Sequence, residues 1–248
     1  MMDGLKALIF DYGGTLDTGG CHWACFIWHA YQERRLPISW QQFSQAYVYA
    51  ERTLARQRIV TPEWSFRQTL NEKISLQLSW LVQSGESGMT EEEKRRVGLL
   101  LTDRLYQQVR LKTSESALTL RELHSRFPMV VVSNFYGNLN KVLREFALDS
   151  FFDDVVESAT VGVRKPDPQI FTLGVEKLAL PPQQVMVVGD SIDKDMVPAS
   201  KLGCRTVWLR GEGWPGAQAD TSMVDWIIDS LSDLSDLSDQ SDQSEKEQ

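Results

Sequence analysis

The sequence predicts an α/β fold, in which helices flank a parallel sheet and a helical domain is inserted after the first strand. Short apolar runs rich in β-branched residues recur along the chain, and helical stretches separate most of them. Directly after the first run, residues 20–104 show helical periodicity and no clear buried strand. Strand and helix then alternate over residues 105–228, which indicates parallel strands joined by right-handed crossovers.

The expected strands follow in chain order. Three runs do not alternate between apolar and polar residues, as is typical of buried parallel strands: KALIF at 6–10, MVVVS at 129–133 and VMVVGD at 185–190. TVWLR at 206–210 predicts a fourth strand, and FFDDVVES at 151–158 predicts a short fifth. Helices are expected at 114–126, 137–148, 168–179 and 194–202.

The domain boundaries follow from these patterns. Residues 1–18 and 96–228 are predicted to form the α/β core, and residues 19–95 the helical domain, of about four helices. Thr90 with Glu93 three residues later predicts a capping box at the start of one helix. The Leu-Ser-Asp repeats of 229–248 predict an acidic, disordered tail, with an interaction tail as the alternative.

The composition restricts the partners and the location. The formal net charge is −8, which disfavours nucleic-acid binding because the protein repels a phosphate backbone overall. Three cysteines form no disulfide framework and suit a reducing cytosol. The start MMDGLKALIF resembles no signal peptide, and no apolar run approaches the roughly 20 residues that span a bilayer. We therefore expect a cytoplasmic protein with no membrane partner; the oligomeric state is not indicated.

Polar clusters follow the predicted strands. Asp11 ends the first strand, Ser133 and Asn134 end the second, Lys165 lies in the loop GVRKPDP, and Asp190 ends the strand at 185–189. In an open α/β sheet, ligands bind beyond the carboxyl ends of the strands, so these side chains are expected to converge. Carboxylates suit Mg²⁺, a lysine and a hydroxyl suit a phosphoryl group, and an aspartate can attack that group.

Four segments in order resemble the motifs of the haloacid dehalogenase-like (HAD) hydrolase superfamily. They are DYGGTLD from Asp11, VVVSN at 130–134, Lys165 of RKPDP, and VGDSIDKD up to Asp195. The ordered set is specific, whereas each motif alone is weak. The resemblance implies a Rossmann-like three-layer core, and it places the helical insert where the family has its C1 cap domain.

The resemblance also implies a role for each matching residue. Asp11 would be the nucleophile, and the Mg²⁺ ligands would be Asp11, the Gly13 carbonyl and Asp190, with Asp195 supporting the metal through water or orienting Lys165. Lys165 would neutralise Asp11 and the phosphate. The phosphoryl oxygens would be held by Thr15, Ser133, Asn134 and Lys165.

One position departs from the family pattern. Most phosphatases of the family carry aspartate two residues after the nucleophile, where this chain has Gly13. General acid–base catalysis is typically worth about 10²–10⁴-fold, so the loss matters. Asp17 is interpreted as a residue beyond the turn and not as a replacement; His22 or His29 could reach the site instead.

These observations favour a Mg²⁺-dependent phosphatase of a small phosphorylated metabolite, and leave three alternatives. L-2-haloacid dehalogenases also lack the second aspartate, but they need no metal and lack the acid equivalent to Asp190. Phosphonoacetaldehyde hydrolases use a cap lysine as a Schiff base, for which Lys73 is the candidate within the body of the insert. The third alternative is a weakly active or non-catalytic protein that binds metal and phosphate.

Two clusters in the insert are interpreted as structural. Cys21, Cys25 and His29 fall at i, i+4 and i+8, one face of a helix if the helix is continuous there. A zinc site would need the usual paired ligand spacing, which they lack, so packing is favoured. The basic residues at 52, 56 and 58 are interpreted as a solvated face, with contact to an anionic substrate as the alternative.

Overall fold

A computed structural model of the chain describes residues 4–85, 87–216 and 220–235. Its strands are β1 (Ala7–Phe10), β2 (Met129–Ser133), β3 (Asp154–Glu157), β4 (Val185–Gly189), β5 (Arg205–Leu209) and β6 (Trp226–Ile228). They form one parallel sheet in the order β3-β2-β1-β4-β5-β6. The predicted α/β class and all five predicted strands are confirmed. The sequence reading missed β6, an edge strand of three residues that is too short to form an apolar run.

Four helices separate β1 from β2: α1 (Trp23–Glu33), α2 (Trp40–Arg56), α3 (Phe66–Gln83) and α4 (Glu91–His124). The later helices are α5 (Leu139–Glu145), α6 (Ser158–Val161), α7 (Gln169–Leu178) and α8 (Val197–Leu202). A π-helical turn at Ile192–Met196 precedes α8, and short 3-10 turns lie at Asp149–Phe151, Pro182–Gln184 and Thr221–Met223. A helical insert after the first strand is therefore present.

The helix α4 differs from the expectation. It runs for 34 residues without a break, so the predicted helix at 114–126 is its final part. The predicted domain boundary between residues 95 and 96 falls inside it. The helix contains no Pro, and its one Gly, Gly98, is tolerated in a long helix at a cost of about 1 kcal/mol. The domain limits otherwise remain a prediction.

Capping boxes start three helices of the insert. The predicted pair is confirmed: Thr90 Oγ1 accepts the Glu93 N–H at 3.2 Å, and Glu93 Oε2 accepts the Thr90 N–H at 2.9 Å. Ser39 with Gln42 and Ser65 with Gln68 form the same arrangement at α2 and α3. Each box satisfies two backbone N–H groups that a helix start otherwise leaves without partners.

The sheet separates two hydrophobic clusters, because alternate side chains of a strand point to opposite faces. Leu8 and Phe10 of β1 pack with α4, α5 and the insert helices on one face. Ala7 and Ile9 pack with α7 and α8 on the other. The core is thus three-layered, and its larger cluster is continuous with the interior of the insert.

The start of the predicted tail is packed against the core. Leu231 and Leu234 are buried in the larger hydrophobic cluster. The prediction of disorder from residue 229 is therefore wrong for 229–235, because two leucines of the repeat find an apolar surface to cover. Residues 236–248 lie outside the described part of the chain.

Among the described residues, no helix combines the length and the apolar character that crossing a bilayer would require.

Candidate functional site

A cavity of about 600 Å³ lies between the carboxyl ends of the strands and the helical insert. Every predicted site residue except Thr15 lines it, namely Asp11, Gly13, Ser133, Asn134, Lys165, Asp190 and Asp195. We call this side the core wall. The insert contributes residues that include His22, Trp23, Tyr47, Glu51 and Lys73. We call that side the insert wall. The predicted convergence of the strand ends is thus present.

Asp11 follows β1 and is nearly buried, with 5% of its surface exposed. Its backbone N–H donates to the Val188 carbonyl at 2.9 Å, which extends the pairing of β1 with β4. Carboxylate Oδ1 accepts hydrogen bonds from Lys165 Nζ at 2.6 Å and from Ser133 Oγ at 3.0 Å. Oδ2 lies 3.2 Å from Thr15 Oγ1. These three contacts fix the orientation of the carboxylate at the cavity.

Lys165 is buried between two carboxylates. Its Nζ lies 2.6 Å from both Asp11 Oδ1 and Asp195 Oδ1. Burial alone lowers the pKa of this lysine, but Asp11 and Asp195 outweigh burial and raise the pKa above its usual value. The ammonium is therefore charged at neutral pH.

Asn134 holds the loop that carries Lys165. Its amide oxygen accepts the Lys165 N–H at 2.9 Å, and its amide nitrogen donates to the Lys165 carbonyl at 3.1 Å. The sequence assigned Asn134 to phosphoryl oxygens. The structure instead engages both ends of its amide with backbone, so its side chain positions Lys165 at the cavity.

Thr15 also differs from its predicted place. It is fully buried and does not line the cavity. Its hydroxyl accepts the Asp190 N–H at 3.0 Å and lies within 3.3 Å of carboxylate oxygens of Asp11 and Asp190. A hydroxyl has one proton to donate, so it serves one carboxylate at a time. Thr15 thus orients the two acids and is not exposed to a ligand.

The acids of the core wall form a cluster. Asp11, Asp190 and Asp195 each place one oxygen within 4.8 Å of the others. Burial, followed by the charges of Asp11 and Asp195, raises the pKa of Asp190 well above its usual value. Burial raises the pKa of Asp195 to about 6, against the opposing effect of Lys165. Three carboxylates face one lysine, and this buried excess of negative oxygen fits a hard divalent cation such as Mg²⁺.

The two adjacent glycines of the first motif have different requirements. Gly14 has φ +103°, and a Cβ there would overlap the carboxylate of Asp190. Gly13 lacks a left-handed φ, and the nearest atom to a Cβ there is Trp23 Nε1 at 3.8 Å. The fold therefore requires glycine at 14 but has room for a side chain at 13.

Asp17 lies outside the cavity and is fully buried. Its carboxylate accepts the Gly14 N–H at 2.7 Å and the Trp23 indole N–H at 3.0 Å. Burial raises its pKa to about 7. The side chain thus fixes the turn after β1 to the first helix of the insert, consistent with its interpretation as a turn residue.

The insert wall carries a second ion pair. Lys73 Nζ lies 2.8 Å from Glu51 Oε1, and Tyr136 donates its hydroxyl to Glu51 Oε2 at 2.8 Å. The ammonium also lies over the rings of Trp23 and Tyr136, 5.1 and 5.2 Å from their centroids. Burial lowers the pKa of Lys73, but Glu51 outweighs it and raises the pKa above the usual value. Sequence reasoning singled out Lys73 and missed Glu51 and Tyr136, because no motif marks them.

The histidines considered as proton donors lie in different places. His22 lines the cavity, and its Nδ1 accepts the Ala24 N–H at 3.1 Å as the N-cap of α1. Burial lowers its pKa to about 4, so the ring is neutral at pH 7. His29 does not line the cavity. The helix begins at Trp23, so Cys21 precedes it and the condition for one helical face from Cys21 to His29 is not met.

Exposed cations surround the open part of the cavity: Arg52, Arg58, Arg164 and Lys194. Arg56 is not among the lining residues. Arg52 and Arg58 thus line the cavity, and their contact to an anionic substrate stays a prediction. Cations at a cavity raise the local concentration of an anionic ligand even though the protein is acidic overall.

Comparison with known proteins identifies the family of the chain and a solved structure with a similar fold. A family model described as haloacid dehalogenase-like hydrolase matches residues 5–203. The chain is 28% identical to phosphoglycolate phosphatase of Shigella dysenteriae over 92% of its own length and 90% of that protein. It is 33% identical to glyceraldehyde 3-phosphate phosphatase of Pyrococcus abyssi over 38% of its length, and the match spans about two fifths (39%) of that relative. A crystal structure of a dehalogenase with an intermediate complex superposes with a TM-score of 0.62 at 21% identity, covering 96% of this chain and 98% of that one.

Proposed function

Because the chain belongs to the haloacid dehalogenase-like hydrolase family, we propose that it is a Mg²⁺-dependent phosphatase of a small phosphorylated metabolite. The observation that carries the proposal is the setting of Asp11. Its carboxylate is nearly buried, lines the cavity, and accepts hydrogen bonds from Lys165 and Ser133. A carboxylate held in this way can act as a nucleophile.

The proposed reaction has two displacement steps at phosphorus. A carboxylate oxygen of Asp11 attacks phosphorus, the bond from phosphorus to the leaving oxygen breaks, and an acyl phosphate forms. Water then attacks the same phosphorus, the bond to Asp11 breaks, and inorganic phosphate leaves. Lys165 and Ser133 donate to Asp11 before attack and are placed to donate to phosphoryl oxygens afterwards.

The metal would be held by Asp11, Asp190 and the carbonyl of Gly13, with Asp195 beside them. Mg²⁺ bound there would offset negative charge on the phosphoryl group and on the acids. Asp195 Oδ1 also accepts a hydrogen bond from Lys165 Nζ at 2.6 Å, so it would orient the lysine in addition to supporting the metal.

The substrate class follows from the cavity and the relatives. A volume of about 600 Å³ admits a small metabolite, and the surrounding cations favour an anion. The names of the relatives, glyceraldehyde 3-phosphate phosphatase and phosphoglycolate phosphatase, support a small phosphate monoester. Gly13 supplies no proton to the leaving group, so substrates with stable leaving groups are expected to react fastest.

Two alternatives within the family have less support. Dehalogenation needs no metal, whereas the buried cluster of Asp11, Asp190 and Asp195 suits one. A Schiff base needs a neutral amine, whereas the raised pKa of Lys73 keeps it protonated. Gly13, which supplies no proton, favours a weakly active or non-catalytic role, but Asp11 keeps its hydrogen bonds from Lys165 and Ser133, which supports catalysis.

A cytoplasmic location is part of the proposal. It rests on the three cysteines, all of which are free thiols in the structure.

The test is phosphate release from a panel of small phosphate monoesters and p-nitrophenyl phosphate, with Mg²⁺ or with EDTA. We expect release that requires Mg²⁺ and falls by about 10³-fold or more in Asp11→Asn, which removes the nucleophile. The matched control is Asp193→Asn, which removes an exposed acid next to the site and is expected to leave the rate unchanged. The proposal fails if no compound releases phosphate, or if Asp11→Asn retains the wild-type rate.

A further inference from the structure

A second cluster of metal-ligating side chains lies outside the cavity, where the insert joins the core. Cys21 and His29 belong to the start of the insert, and Glu212 to the loop after β5. His29 Nε2 lies 3.2 Å from Glu212 Oε2, and Cys21 Sγ lies 3.9 Å from the same oxygen. One ligand atom from each residue lies within 4.8 Å of the others. The reaction proposed above uses none of them.

We propose that Cys21, His29 and Glu212 bind a divalent cation of the Zn²⁺ class, with solvent as a fourth ligand. A thiolate, an imidazole and a carboxylate are the donors that zinc takes in proteins. Zinc bonds of about 2.0–2.3 Å in a tetrahedron separate the ligand atoms by about 3.4–3.6 Å. The Glu212 oxygen lies 3.2 Å from His29 Nε2 and 3.9 Å from Cys21 Sγ, close to those separations, and the remaining pair of ligand atoms lies within 4.8 Å.

A backbone hydrogen bond and a thiol contact hold the two ligand-bearing segments together without help from the ligands. The His22 N–H donates to the Glu212 carbonyl at 2.8 Å, and Cys25 Sγ contacts the Gly213 carbonyl at 3.2 Å. Gly20 and Gly211 are so close that a Cβ on Gly211 would overlap the Gly20 carbonyl. The backbone of the two segments is therefore held together before a cation binds, so less backbone entropy is lost on binding.

The third ligand, Glu212, explains why sequence patterns alone predict packing here. Cys21, Cys25 and His29 lack paired ligand spacing. Glu212 is distant in sequence and reaches the cluster because β5 ends beside the point where the chain enters the insert. Cys25 is buried and contacts Gly213 instead of joining the cluster.

The two proposed cation sites differ in their donor atoms. The core wall offers oxygen donors, which suit Mg²⁺, whereas this cluster offers sulfur, nitrogen and oxygen, which select zinc-like ions over Mg²⁺. His29 and Glu212 have side chains that are 47% and 53% exposed, so a cation in solution can reach them. Binding releases the thiol proton of Cys21 to solvent. A bound cation would link the insert to the core.

The test uses Co²⁺ as a spectroscopic substitute for Zn²⁺ on the full chain, with excess Mg²⁺ present to occupy the carboxylate site. We expect a thiolate-to-cobalt charge-transfer band that saturates at one equivalent and disappears when Zn²⁺ is added. Cys21→Ser should abolish the band. His29→Ala and Glu212→Gln, which change exposed side chains, should each weaken cobalt binding by about tenfold or more.

The matched control is Cys204→Ser, which removes a buried thiol that is not part of the cluster and should leave the band intact. A thermal unfolding measurement provides a second readout: Zn²⁺ should raise the midpoint of the wild type and of Cys204→Ser, but not of Cys21→Ser. The proposal is overturned if the wild type shows no band, or if the band survives Cys21→Ser. Neither result depends on phosphatase activity, so the two proposals can fail independently.

Discussion

Two lysines on opposite sides of the cavity show how its two walls differ. Lys165 on the core wall lies 2.6 Å from two carboxylates. One of these acids, Asp11, follows β1, and the other, Asp195, lies in the π-helical turn after β4. Lys73 on the insert wall pairs with one carboxylate at 2.8 Å and lies over two aromatic rings. Both lysines are buried, and both have a raised pKa.

The difference is one of charge balance. The core wall has three carboxylates for one lysine, so it retains negative charge that a cation can offset. The insert wall pairs Lys73 with Glu51 one to one, and Tyr136 satisfies the second oxygen of Glu51. An unbalanced wall is suited to binding a metal and performing chemistry. On the insert wall the buried pair is balanced and the further cations, Arg52 and Arg58, are exposed, so this wall is suited to contacting the part of a substrate that does not react.

The largest expected effects come from removing each lysine in turn. Lys165→Met leaves Asp11 and Asp195 buried beside each other, with side chains 7% and 1% exposed, and should destabilise the fold by about 3–5 kcal/mol. It should also reduce hydrolysis of p-nitrophenyl phosphate by about 10²–10³-fold. Urea unfolding and steady-state rates measure the two effects.

Lys73→Met is the matched variant on the insert wall. Glu51 keeps 31% of its side chain exposed, so the expected loss is smaller, about 1–2 kcal/mol. Its rate with p-nitrophenyl phosphate should stay within about tenfold of wild type, and adding Glu51→Gln should restore most of the stability. If both lysine variants lost activity equally, the distinction between the walls would be wrong.

A gain of activity is expected at Gly13. Gly13→Asp places a carboxyl group where a Cβ meets nothing closer than 3.8 Å, and general acid–base catalysis contributes about 10²-fold or more. We expect the gain in kcat to be large for an alkyl phosphate and small for p-nitrophenyl phosphate, whose leaving group needs no proton. Gly13→Asn is the control that fits equally well and transfers no proton. Equal rates in Gly13→Asp and Gly13→Asn would contradict the expectation.

A pH dependence is also expected from the insert wall. Burial lowers the pKa of His22 from 6.5 to about 4, so between these values the unfolded chain takes up a proton that the folded chain does not. His22 therefore costs the fold about 2 kcal/mol when the pH falls from about 7 to about 5. His22→Asn keeps an N-cap for α1 and removes this loss.

Urea unfolding at both pH values compares the wild type, His22→Asn and the control His124→Asn, which changes an exposed histidine on α4. The free-energy difference between wild type and His22→Asn should shift by about 2 kcal/mol between the two pH values. His124→Asn should behave as wild type does. A difference that does not change with pH would show that His22 is not held neutral by burial.

The core wall was predictable from the sequence because topology determines it. Parallel strands end at one edge of a sheet, so residues that follow buried strands, such as Asp11, Ser133 and Asp190, must approach one another. The hydrogen bonds among them were not predictable. The use of the Asn134 amide to hold Lys165, and the burial of Thr15 between two acids, depend on loop geometry that the motifs do not encode.

The insert wall was largely not predictable. Which side chains of a helix face a cavity depends on the rotation and crossing of each helix, and these follow from packing. Glu51 and Tyr136 come from different layers and meet only in the fold. The same holds for Glu212 beside Cys21 and His29. The helical character of the insert was predictable, because caps and periodicity are local properties of the sequence.

The unbroken helix α4 has a mechanical consequence. With a rise of about 1.5 Å per residue, its 34 residues span about 50 Å and lead from the insert into β2. The connection from the core into the insert is different, because Gly19 and Gly20 both have positive φ. If the insert rotates relative to the core, α4 would stay rigid and the backbone would turn at the two glycines. The cluster of Cys21, His29 and Glu212 lies beside these glycines. A cation bound there would restrict the rotation.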